Sequence, residues 1–187
     1  MDRHIRRAVP SDRDLIKRLT DSYISKDFYS PGDIRGMMEE KDHRVYIYET
    51  DEGEGVAYFY VFVSSLKEAS EVLGIPEGME SLTGYDPEMR VGVYKTTVTE
   101  KAYRRGGILS AFLEGVEDDI KDMGGRMIYF VAACIHGNEI PVDTAVRNAG
   151  FVRKERMEKP WKHIFAHCPC CGKDYCECDG VIYTKDL

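Results

Sequence analysis

Apolar and polar positions alternate between two periods along the chain, and the switches between them mark out the elements. Ile5 to Val9 is short, β-rich and closed by Pro10, which reads as a strand. Ser11 is the expected N-cap of the helix that follows, with Asp14 three positions on and Leu15, Leu19 and Tyr23 at four-residue spacing. Pro31-Gly32 reads as a break before a short helix over Asp33 to Glu40. Val45 to Thr50 and Val56 to Val63 are β-rich runs on either side of Asp51-Glu-Gly-Glu-Gly55, the pattern of a hairpin. Residues 67–90 carry scattered glycines and prolines and predict a loop, with one short helix near Lys67 to Leu73.

The second half is better patterned. Val91 to Thr99 predicts a strand and Glu100 to Gly107 a polar turn. Leu109, Phe112, Leu113, Val116, Ile120 and Met123 then form one stripe, which predicts a single long helix stopped by Gly124-Gly125. Met127 to Ile135 is continuously apolar, as a buried central strand would be. A short helix over Val142 to Asn148, ended by Gly150, leads to strands at Phe151 to Met157 and Val181 to Lys185. The order β, α, α, β-hairpin, β, α, β, α, β, β predicts an α/β architecture, with helices flanking a mixed sheet.

Composition narrows the partners. The 187 residues suit one domain, and 33 acids against 26 bases leave a formal charge of −7, unlike the basic footprint of a nucleic-acid binder. The long apolar runs, Val56 to Val63 and Met127 to Ile135, are both too short to span a membrane, and the charged start MDRHIRRAVPSDRD is no secretory signal. A cytoplasmic protein that binds neither nucleic acid nor membrane is therefore expected. In that reducing setting, five cysteines within 168–178 read better as a metal site than as disulfides.

Two segments carry chemistry. Arg104-Arg-Gly-Gly107-Ile108-Leu109-Ser110 lies between a strand and the best helix, where free amides, the helix dipole and two arginines suit a phosphate or pyrophosphate. The plain alternative is a Gly-rich turn with solvated arginines. Neither a P-loop ending nor the spaced glycines of a dinucleotide fingerprint is present. In the second segment, Cys168-x-x-Cys171-Gly172 has the spacing of a zinc knuckle, and Cys176-x-Cys178 completes a four-thiolate set that leaves Cys170 over. Free thiols, a disulfide, an iron–sulfur cluster or a regulatory metal are the alternatives.

The strand–turn–helix, with Arg104-x-x-Gly107-x-Leu109, resembles the acetyl-CoA motif of the GNAT superfamily of N-acetyltransferases, Arg/Gln-x-x-Gly-x-Gly/Ala. Leu109 stands where the last small residue would be. The following strand, Asn138, and the short helix ending at Gly150-Phe151 continue the likeness, which at motif level covers about Val91 to Phe151. The resemblance implies a single domain over 1–187 with a GNAT-like, mostly antiparallel sheet and a cysteine-rich insertion at about 167–179. It implies acetyl-CoA as donor and a primary amine, on a small molecule or a protein, as acceptor, attacked directly in a ternary complex. A CoA- or metal-responsive binding module without catalysis is the alternative.

By the same resemblance, Thr97, Val98 and Thr99 would hydrogen-bond the pantetheine arm. Arg104, Arg105, Gly106, Gly107, Ile108, Leu109 and Ser110 would frame the pyrophosphate, and Asn138 would lie at the far side of the cleft. The position of the family's usual tyrosine acid is Val146 here. His136 is then a candidate base or relay, against the plain reading of an exposed loop histidine. Tyr94 and Tyr129 are candidates too, against half-buried core. Glu139 reads as a helix-start acid, and Cys134 as an inert buried thiol rather than a nucleophile. A homodimer is a further expected partnership.

Overall fold

The computed structural model describes all residues except Met1, His136, residues 165–167 and Pro169. The chain opens with β1 (Ile5–Arg7) and one 3-10 turn at Pro10–Asp12, then α1 (Arg13–Tyr23). Ser11 is not the cap. The Asp12 carboxylate accepts the Val9 N–H at 2.7 Å and two bonds from the Arg6 guanidinium at 2.7 and 2.9 Å, so the turn closes around Asp12 instead. The buried face of α1 is Ile16, Leu19 and Thr20, with Leu15 and Tyr23 on its flanks. Pro31 does not break the chain but opens α2 (Pro31–Glu39), behind a capping box of Ser30 and Asp33.

The hairpin of β2 (His43–Glu49) and β3 (Gly55–Ser65) follows, then α3 (Leu66–Leu73), capped by Ser65 and ended by Gly74. After a loop comes β4 (Arg90–Thr99). The long stripe forms two helices rather than one, α4 (Ile108–Gly115) and α5 (Glu117–Asp122). Between them Val116 leaves helical geometry at φ −113°, ψ −1°. Gly115 weakens the helix there, and Glu117, Asp118 and Asp119 form the acidic first turn that a fresh N-terminus favours. The apolar stripe nevertheless stays buried through Ile108, Phe112, Leu113, Val116 and Ile120. β5 (Met127–Cys134), α6 (Asp143–Asn148), β6 (Val152–Met157) and β7 (Asp179–Asp186) complete the order.

The strands form one seven-stranded sheet in the order β1-β2-β3-β4-β5-β7-β6. Every neighbouring pair is antiparallel except β4–β5. The sheet is covered on both faces. One core packs α4 and α5 on residues such as Phe59, Tyr94, Phe130 and Tyr183. The other packs α1, α2 and α3 on Tyr58, Tyr60, Val93 and Tyr129. No helix among the described residues is long and apolar enough to cross a membrane.

Candidate functional site

The single parallel seam is also the shortest ladder between long strands. β4 and β5 are in register only over Gly92, Val93 and Tyr94 against Ile128, Tyr129 and Phe130. Beyond Tyr94 and Phe130 the two strands part, although both continue to Thr99 and Cys134. Over this stretch β4 is still bonded to β3, through Thr97–Phe59, Val98–Tyr58 and Thr99–Ala57. Its other edge faces an open fork, so the backbone groups of 95–99 on that edge are available to a ligand.

A bulge shapes the base of the fork. Tyr60 pairs with Thr96 and Val61 with Tyr94, which leaves Lys95 as the extra residue. Both Lys95 and Thr96 reach groups on the α1–α3 side. Lys95 Nζ donates to the Val72 carbonyl at the end of α3 at 2.7 Å, and Thr96 Oγ1 lies 2.6 Å from Tyr29 Oη. Burial brings the Lys95 ammonium down to about 8 and lifts the Tyr29 phenol to about 12. Neither residue was legible as part of a site. A bulge depends on the register of two strands distant in sequence, and Tyr29 lies in the connection between α1 and α2.

The turn leaving β4 is built on two residues with positive φ, Arg105 at 68° and Gly107 at 82°, the latter capping α4. The first bond of the helix runs from the Ala111 amide to the Gly107 carbonyl. The amides of Arg105 to Ser110 therefore have no backbone partner among the described residues. The arginines divide the work. Arg104 Nε donates to the Thr99 carbonyl at 3.0 Å and its guanidinium lies 4.8 Å from the Tyr23 ring centre, so Arg104 shapes the turn. Arg105 is exposed and makes no ion pair or hydrogen bond among the described residues. Leu109 packs at the edge of the core, as a helix residue of that size must.

Across the fork, Asn138 Oδ1 accepts a bond from Arg156 at 3.0 Å, and the same guanidinium holds the Gly137 carbonyl at 2.8 Å and the Asp179 carboxylate at 2.7 Å. His136 lies outside the described residues. Tyr129 sits below the fork, buried, its hydroxyl donating to the Ser81 carbonyl at 2.6 Å; burial raises its pKa. Tyr94 is buried on the opposite face and burial raises it likewise. Val146 is fully buried in the core under α6. The Cys134 thiol is buried and points toward the Gly137 carbonyl.

The cysteine segment folds at the end of β5. The Sγ atoms of Cys168, Cys171, Cys176 and Cys178 all lie within 4.8 Å of one another, a set that can hold a metal ion. Burial raises the Cys171 thiol, but backbone N–H groups of Glu177 and Lys173 aimed at the sulfur outweigh it and bring it down to about 7. An open cavity of about 550 Å³ lies beside this knuckle, lined by Gly137, Arg156, Lys159, Glu177 and Asp179 among others. Cys170 is exposed and is not one of the four, although its thiol lies beside Cys168; burial and the neighbouring thiols raise it, and the Arg104 charge opposes them.

No family model matches the sequence, and no curated protein matches it. Solved structures do match in fold. The chain superposes on Arabidopsis thaliana NAA60 in complex with acetyl-CoA with a TM-score of 0.68 at 17% identity, covering 98% of this chain and 97% of that one. Chaetomium thermophilum Naa20 bound to a bisubstrate analogue gives 0.67 at 13% identity, over 98% and 86%. An aminoglycoside 6'-N-acetyltransferase complexed with coenzyme A gives 0.64 at 13% identity, over 97% and 96%. The sheet with its single parallel seam is thus the GNAT fold.

Proposed function

We propose that this chain is an acetyl-CoA-dependent N-acetyltransferase acting on a primary amine. One observation carries the reading: β4 and β5 part beyond Tyr94 and Phe130, directly before a Gly-capped helix start with free amides. A helix start of that kind favours an anion. In this reading the pantetheine arm runs along the free edge of β4 at Thr97, Val98 and Thr99. The pyrophosphate lies on the amides of Arg105 to Ser110, with Arg105 as the free charge and Arg104 holding the turn. The solved structures of this fold with acetyl-CoA or coenzyme A bound support the choice of donor.

The acceptor amine approaches from the α1–α3 face, which Tyr29, Thr96 and Lys95 line. A free alkyl amine has a pKa of about 10.4 and must shed a proton to attack. Its nitrogen then bonds to the thioester carbon, and the oxyanion is met by a backbone N–H of 97–99. The C–S bond breaks and the proton passes, by way of water and His136, to the leaving CoA sulfur. Asn138, fixed by Arg156, forms the far lip. Tyr129, bonded to Ser81, supports the floor of the fork.

A second reading, a CoA-binding module without catalysis, is favoured by one observation: α6 turns the fully buried Val146 inward and offers no proton donor there. Calorimetric titration with acetyl-CoA and free CoA, followed by a panel of peptide and small-molecule amines, separates the two. Micromolar binding with thiol release on an amine supports the transferase. Binding with no turnover supports the module, and no binding refutes both.

A further inference from the structure

Independently of acetyl transfer, we propose that Cys168, Cys171, Cys176 and Cys178 bind one zinc ion as a closed tetrathiolate site, and that this ion fixes the β6–β7 connection in the form that packs on the end of β5. The geometry is that of a single ion. With metal–sulfur bonds of about 2.3 Å, the edge of a tetrahedron is about 3.8 Å. Cys168 and Cys178 sulfurs lie 3.9 Å apart, and no pair of the four exceeds 4.8 Å. A cluster of several irons with bridging sulfides would hold its cysteines further apart. All six cysteines are unbridged, so the four sulfurs meet without pairing off into disulfides.

The backbone is arranged for the same end. The Cys168 amide donates to the Lys173 carbonyl at 2.9 Å and the Gly172 amide to the Cys168 carbonyl at 2.8 Å. Gly172 has φ +69°, a conformation glycine adopts at little cost. This tight turn points Cys168 and Cys171 the same way, while Cys176 and Cys178, alternating about Glu177, close the site from the other side. Cys168, Cys176 and Cys178 are 2% exposed or less. Four soft thiolates with no open position suit a structural d¹⁰ ion rather than a catalytic one.

What the ion would hold follows from the packing. The ligand cysteines lie on Ala133 and Ile135 at the end of β5 and on Trp161, the only tryptophan in the chain. Just after the last ligand, Asp179 begins β7 and binds Arg156 at 2.7 Å and the Lys159 amide at 3.0 Å. The connection between Met157 and Asp179 contains no helix or strand among its described residues, so the ion replaces the contacts that a regular element would supply.

The test is metal analysis of the reduced protein, with Trp161 fluorescence and amide hydrogen exchange before and after chelation. The expected result is one zinc per chain. Chelation should change Trp161 emission and speed exchange in 168–181, zinc should reverse both, and Co(II) should give the intense visible bands of a tetrahedral thiolate site. Cys170→Ala should keep the ion and Cys176→Ala should lose it. Should Cys176→Ala misfold, chelation of the wild type still decides. No metal uptake by the reduced protein, a bound iron, or a Cys170→Ala variant that loses the ion would overturn the proposal, as would unchanged fluorescence and exchange after the zinc is removed.

Discussion

Gly107→Ala is the sharpest probe of the proposed pyrophosphate cradle, because its cost can be worked out in advance. Gly107 caps α4 at φ 82°, ψ 0°, and a Cβ built there would meet nothing within 4 Å. The penalty is therefore backbone strain alone, about 1–2 kcal/mol for a residue with a side chain in that region, partly offset by the stiffer unfolded chain. A net loss of about 1 kcal/mol is expected, roughly 2–4 °C in a domain of this size. If the turn relieves the strain by rotating, the amides beside it turn away from the ligand. Losing one charge-assisted bond, about 1.5–3 kcal/mol, weakens acetyl-CoA binding by roughly 10- to 100-fold. Gly107→Asn is the control, since asparagine tolerates positive φ and should retain most of the affinity. Denaturant unfolding and calorimetric titration with acetyl-CoA read the two effects separately. An Ala variant that loses stability but binds acetyl-CoA as well as the wild type would show that the anion does not sit on this turn.

Three further outcomes are expected. Arg105→Ser should weaken acetyl-CoA binding several-fold at low salt, with the difference shrinking as salt is added and the melting temperature unmoved; a titration series in salt checks it. Lys95→Met should stabilise the protein at pH 7 by about 1–2 kcal/mol. Burial holds the folded-state pKa near 8 against 10.5 when unfolded, so the wild type binds fewer protons folded and gains stability as pH rises between those values. The advantage of the variant should therefore fade over that window, and a pH-independent advantage would refute the account. Asp12→Asn should cost about 1.5–3 kcal/mol at neutral pH, since it weakens the paired charge-assisted bonds to Arg6, which keeps Glu49 as its other partner. Burial alone would raise the Asp12 carboxyl, but the bonds from Arg6 and the Val9 amide outweigh it and hold its pKa below 3.8. That stability is present above 3.8 and lost below it, so the gap between variant and wild type should narrow in acid unfolding.

Periodicity gave the strands and helices their places, because burial on one face leaves a repeating mark. It erred where a single interaction decides the outcome. The Arg6–Asp12 pair moved the start of α1, Gly115 with the acids after it divided α4 from α5, and Pro31 opened the helix it was expected to precede. The turn at 104–110 and the knuckle at 168–178 were legible, since each is local in sequence. The bulge at Lys95 and the Tyr29–Thr96 bond were not, because both depend on which strands lie side by side. Arg104 and Arg105 looked equivalent as letters; only the Thr99 carbonyl and the Tyr23 ring distinguish them.

The brevity of the β4–β5 seam has a mechanical consequence. Three residue pairs join a four-strand meander to a three-strand unit, so ladder hydrogen bonds contribute little to the angle between the two halves. That angle is set from beneath, by a row of rings that crosses the seam. Phe112 lies 5.3 Å from Phe59, Phe59 lies 4.9 Å from Tyr94, and Tyr94 lies 5.6 Å from Phe151 on the far half. The gauge of the opening is thus written in the bulk of buried aromatics that no ligand need touch. Trimming or enlarging one of them would resize the slot while every surface residue around it stayed the same, so the width of the fork can change through the interior of the sheet alone.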